Sequence, residues 1–114
     1  MRGGKISNQA RIELMLEEIC NIESFLKGTD DLNGFASNKI LCHAVIYNLQ
    51  CLGENAYKLS KDFLEGHPGV DWEAIEGLRH VLVHDYYQVS MERIWAILQD
   101  DLPGLKDYLK KIKI

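Results

Sequence analysis

The apolar residues Leu41, Val45, Leu49, Leu52, Ala56, Leu59 and Phe63 follow one another at intervals of four, four, three, four, three and four. That rhythm keeps one stripe on one side of an α-helix and would scatter it over both faces of a strand. The chain must therefore be built around one long helix, expected from about Ser37, a plausible N-cap, to Glu65.

The flanking segments repeat the pattern. Ile12, Met15, Leu16, Ile19, Ile22 and Leu26 give a helix from about Ser7 to Lys27, followed by a loop over Gly28 to Gly34. Gly66-His67-Pro68-Gly69 breaks the long helix, and Asp71 can cap a third that opens at Trp72, with Ile75, Leu78 and Leu82 on its core face. A fourth follows Ser90, where Pro103-Gly104 should kink or split it before Leu105, Tyr108, Leu109 and Ile112 resume the stripe. No segment alternates as a strand does. The expectation is an all-α, up-and-down four-helix bundle with a kinked last helix, residues 1–114 forming a single domain.

Composition narrows the functional classes. With 114 residues, 46% hydrophobic and 26% charged, the chain is neither disordered nor large enough for two ordinary domains. No run approaches the ~20 apolar residues of a membrane span. The opening Met1-Arg2-Gly3-Gly4-Lys5 lacks the apolar core of a secretory signal, so a cytoplasmic location is expected. The net charge of −4 argues against coating nucleic acid through bulk positive charge. It leaves room for a local patch drawn from Arg79, Arg93, Lys106 and the Lys110, Lys111 and Lys113 tail. Cys20, Cys42 and Cys51 form no CxxC pair and read as small buried hydrophobes. On the long helix, His43, Tyr47, Glu54 and Tyr57 lie off the main seam, a partly aromatic face that a homodimer would cover.

Chemistry concentrates at the end of the third helix, in Arg79-His80-Val81-Leu82-Val83-His84-Asp85-Tyr86-Tyr87. Three readings compete. His80 and His84, four apart, share a helical face as zinc ligands do, but no Glu stands at position 81, and a third ligand would have to come from Asp85, His43 or a partner chain. Alternatively the cluster is a helix end that favours positive groups, with Arg79 paired to Glu54 or Glu76. The third reading is metal-independent cleavage of an RNA phosphodiester. There the 2′-hydroxyl is the nucleophile, an imidazole that ordinarily titrates at about pH 6.5 moves its proton, and a guanidinium fork holds the developing charge. On an ideal helix Arg79 and His84 point about 140° apart, so convergence needs either unwinding near His84 or two chains meeting across a two-fold axis.

Arg79-x-x-x-x-His84-x-Tyr86 resembles the R-x4-6-H signature of HEPN-domain ribonucleases, in the R-x4-H-x-Y form of HepT-like toxins. The resemblance extends to Ala44-Val45-Ile46-Tyr47-Asn48-Leu49 with Leu52-Gly53-Glu54, to Pro68, Trp72 and Ile75 ahead of the motif, and to Trp95 and Asp101-Leu102-Pro103 behind it. It covers about Ile12 to Leu109.

What the resemblance implies is a HEPN fold, homodimeric, with the two motifs facing across a cleft. It implies an endoribonuclease without a cofactor or metal, acting through Arg79 and His84, with His80, Asp85 and Glu54 in support. It further implies the toxin half of a type VII-like toxin–antitoxin pair, whose MNT-type (minimal nucleotidyltransferase) antitoxin transfers AMP to the motif tyrosine, here Tyr86. His80 departs from the Asn common after the motif Arg. A non-catalytic HEPN scaffold that binds nucleotides or a nucleotidyltransferase is the alternative.

Overall fold

The computed structural model describes residues 6–112; Met1 to Lys5, and Lys113 in the basic tail, lie outside the described residues. Among the described residues every regular element is helical: α1 (Asn8–Phe25), α2 (Leu32–Ala36), α3 (Lys39–Tyr57), α4 (Lys61–Gly66), α5 (Trp72–His84), α6 (Met91–Ala96) and α7 (Leu102–Ile112). A 3₁₀ turn (Tyr86–Gln88) follows α5, and a π-helical turn (Ile97–Asp101) joins α6 to α7. Among the described residues no helix is long and apolar enough to cross a membrane.

Helix starts are set locally. From α1 to α6, each opens on a Ser, Asp or Asn whose side chain accepts a hydrogen bond from the backbone N–H three residues on: Ser7, Asp31, Asn38, Ser60, Asp71 and Ser90. Each satisfies a donor that the first turn leaves without a partner. After α1, Gly28 turns the chain with φ +85°, a conformation that a side chain would strain.

The core is the seam read in the sequence. Ile12, Met15, Ile19 and Ile22 of α1 meet Val45, Leu49, Leu52 and Ala56 of α3, with Leu82, Ile94 and Leu109 closing from the remaining helices. All of these are buried, and each large side chain removed from water contributes about 1.5–3 kcal/mol.

Four expectations about the helices are corrected. The Gly28–Gly34 loop contains the start of α2, because Asp31 caps it and fully buried Phe35 anchors it against Trp95, with ring centroids 5.4 Å apart. The long helix starts one residue later than expected, capped by Asn38 rather than Ser37. It also ends at Tyr57 rather than Glu65. There Asn8 of α1 accepts from the Ser60 N–H at 3.0 Å and donates to the Ser60 hydroxyl at 2.9 Å, so Ser60 leaves the helical ladder and caps α4 instead. In the last helix the distortion lies one turn ahead of Pro103. The wide turn Ile97–Asp101 lets α7 begin afresh at Leu102, and Pro103 then occupies a first-turn position where its missing N–H costs little.

Ile75 and Leu78 are only half-buried, because they wall a cavity of about 800 Å³ between α5 and the α6–α7 segment, together with Leu49, Ile97, Leu102 and Tyr108. Cys20 is exposed, against expectation. Cys42 is buried and Cys51 half-buried, and all three are free thiols.

Candidate functional site

The motif occupies the last two turns of α5 and the turn beyond. The helix stays regular through His84, so the unwinding that would bring Arg79 and His84 together within one chain does not occur. Its end is well secured. The Asp85 N–H donates to the Val81 carbonyl at 2.7 Å, and Gln50 of α3 donates from Nε2 to the Leu82 carbonyl at 2.8 Å. These bonds satisfy acceptors that a helix C-terminus otherwise leaves open.

Arg79 faces α3. Its Nε donates to Glu54 Oε1 at 2.8 Å, and its guanidinium lies over the Tyr57 ring with Cζ 4.6 Å from the centroid. Glu54 Oε2 engages Lys58 Nζ at 3.1 Å. The hydrogen bond from Arg79, with a further one from Lys58, holds the Glu54 carboxyl below its ordinary range, against the partial burial that pushes it up. Of the two carboxylates the sequence offered to Arg79, Glu54 is the one that takes it.

His84 stands on another side of α5 and is exposed. Its ring lies 4.7 Å from that of His80, also exposed, at 52°. Asp85 is half-buried at the helix end. Tyr86 and Tyr87 project into solvent, 56% and 72% exposed, with rings nearly perpendicular and 6.1 Å apart. Gly77, on the His80 side, meets nothing where a Cβ would stand. Within one chain the structure thus joins Arg79 to Glu54 and His84 to His80, and leaves the two pairs apart.

Among the described residues no three His, Cys, Asp or Glu side chains are grouped so as to hold a metal ion. The His80–His84 pair has no third ligand among the described residues.

The other basic candidates are dispersed. Lys106 is paired with Glu23 at 2.8 Å, Arg93 lines the cavity, and Lys110 and Lys111 are exposed at the far end of α7. Neither Arg79 nor His84 lines that cavity. The contacts that sequence reasoning missed are Tyr57 beneath Arg79 and Gln50 on the α5 terminus. The helical spacing of Gly53, Glu54 and Tyr57 was the available signal for the first.

With that geometry in place, the comparisons decide the family. A family model described as Ribonuclease HepT-like matches residues 15–112. The chain belongs to the HepT-like ribonuclease family. The HepT-like match takes in all of α3 and α5, hence Glu54, Tyr57, Arg79 and His84. Among similar proteins, "Putative RNase MJ1380" of Methanocaldococcus jannaschii is 35% identical over 92 residues, 81% of this chain and 84% of that protein. "Putative RNase TTE0752" of Caldanaerobacter subterraneus subsp. tengcongensis is 31% identical over 101 residues, 89% of each chain. "Probable ribonuclease HepT" of Thermococcus cleftensis is 29% identical over 109 residues, 96% of this chain and 98% of that one. No solved structure matched the chain.

Proposed function

We propose that this HepT-like protein is the toxin of a type VII-like toxin–antitoxin pair, an endoribonuclease that cleaves RNA at a site shared by two chains. The observation that carries the reading is the unbroken α5. Arg79 and His84 leave it about 140° apart, so a phosphate held by one chain's Arg79 must meet its proton acceptor on a second chain. Family membership and the RNase names of the relatives support RNA as the substrate class.

A surface for the second chain is at hand. Ile40 is 85% exposed and Tyr47 63% exposed on α3, and Val83 is exposed on α5 close to His84. Apolar side chains so displayed along two adjacent helices favour association, and a two-fold axis there would apply the same patch twice.

In the reaction, the 2′-oxygen bonds to phosphorus as the bond to the 5′-oxygen breaks. His84 takes the 2′-hydroxyl proton, and Arg79 donates to the non-bridging oxygens as their charge grows. The leaving 5′-oxygen takes a proton from water, so each site uses one chain's Arg79 and the other chain's His84. The products are a 2′,3′-cyclic phosphate and a 5′-hydroxyl. Glu54 anchors Arg79, while His80 and Asp85 flank His84. The protein needs no cofactor for these steps.

The exposed Tyr86, two residues past His84, is the acceptor for AMP from an MNT-type nucleotidyltransferase antitoxin. The added phosphodiester would place negative charge beside Arg79 and His84 and repel the RNA backbone. The shared site is tested by mixing. Arg79→Ala and His84→Ala proteins, each reduced to a small residual rate alone, should recover about a quarter of wild-type cleavage when their chains exchange, since half the dimers are mixed and each mixed dimer carries one intact site. Two proteins that stay at their residual rates after verified exchange would place each Arg–His pair within one chain.

A further inference from the structure

The Arg79 head is held in an unusual way. A guanidinium beside a carboxylate gains most by a two-bond fork, with Nε and one Nη on the two oxygens. Here only Nε reaches Glu54, at Oε1, while Oε2 is taken by Lys58 at 3.1 Å. No hydrogen bond from either Nη of Arg79 is found among the described residues. The Tyr57 ring lies beneath the guanidinium, with Cζ 4.6 Å from the centroid. The ring fixes the plane of the head through cation–π attraction, and it needs nothing else from Tyr57, which is 55% exposed and outside the buried core.

We propose that Tyr57 is a positioning residue for Arg79: its ring holds the guanidinium end-on to Glu54, so that the Nη edge stays open to a phosphate. The inference rests on the ribonuclease reading, which gives that edge its ligand. Lys58 assists by occupying the second carboxylate oxygen. The consequence for substrate is selective: Tyr57 sets the geometry of charge stabilisation in the transition state rather than the strength of RNA binding.

Three proteins decide it, wild type, Tyr57→Phe and Tyr57→Leu, each assayed for cleavage over a range of RNA concentrations. Tyr57→Phe keeps the ring and should cleave within about twofold of wild type, whereas Tyr57→Leu should lose about tenfold in kcat with KM nearly unchanged. Measured on the residual rate of Arg79→Ala, Tyr57→Leu should cost nothing more. The Arg79 Nε–H resonance should move on loss of the ring in Tyr57→Leu and stay in place in Tyr57→Phe. Equal thermal midpoints for the three proteins are expected from the exposure of the side chain.

Wild-type kcat in Tyr57→Leu would overturn the proposal. So would a loss in KM alone that persists in the Arg79→Ala background, which would make the ring a direct RNA contact. If the wild type cleaves no RNA, the ribonuclease reading fails. An Arg79 resonance that then ignores the ring would sink the positioning role as well.

Discussion

Gly53 of α3 lies against Arg79 of α5 so closely that a Cβ on residue 53 would overlap the Arg79 Cβ and press on the Ile75 carbonyl at 3.3 Å. The glycine is thus the register pin of the two helices, and that register is what lays Arg79 on Tyr57 and Glu54. Gly53→Ala should cost about 1–3 kcal/mol through overpacking, read as a lower urea midpoint at unchanged slope. It should also reduce cleavage more than a stability loss of that size explains, because Arg79 moves with α5. A variant as stable and as active as wild type would show that the contact carries no positional role.

Glu54 links the site to pH. Its carboxyl is held low by Arg79 and then Lys58, so the native state keeps the charged form after an unfolded-state glutamate, at about pH 4.3, has taken its proton. The stabilisation is complete above that value and lost as pH falls through the lower native one. Side-chain exposure of 42% keeps the contribution small. Glu54→Gln should flatten the stability profile between about pH 5 and pH 3 relative to wild type. Parallel denaturation profiles for the two proteins over that interval would contradict the assignment.

Tyr86 and Tyr87 differ in sequence position more than in accessibility, since both rings are exposed on the turn after α5. The proposal places the AMP acceptor at Tyr86. Tyr86→Phe should retain most cleavage and gain no AMP mass on exposure to the nucleotidyltransferase and ATP. Tyr87→Phe should be modified as wild type is. An AMP adduct on the Tyr86→Phe protein would move the acceptor to a neighbour.

What could be read from sequence was what is decided locally. Asp71 capping α5, the start of α1 near Ser7 and the seam from Leu41 to Leu59 depend on residues within a few positions of one another. The break at Ser60 depends on Asn8, fifty-two positions away, and the burial of Phe35 depends on Trp95. Neither partner is visible to a local rule. The Arg79–Glu54 pair was one of two options left open, because choosing between Glu54 and Glu76 requires knowing how α3 and α5 are aligned. The Tyr57 stack escaped for the same reason, its position following from the Gly53 contact. Cys20 read as buried because cysteine usually is, yet it falls on the outer side of α1.

The central claim is that Arg79 and His84 cleave RNA without a metal. It is tested most directly by incubating unmodified, dimeric wild-type protein and His84→Ala with RNA in EDTA and following intact substrate. RNA lost with the wild type alone, leaving 2′,3′-cyclic phosphate ends, is the predicted result. Intact RNA with both proteins would contradict it and favour a non-catalytic scaffold that binds nucleotides or a nucleotidyltransferase; equal cleavage by both would remove His84 from the site.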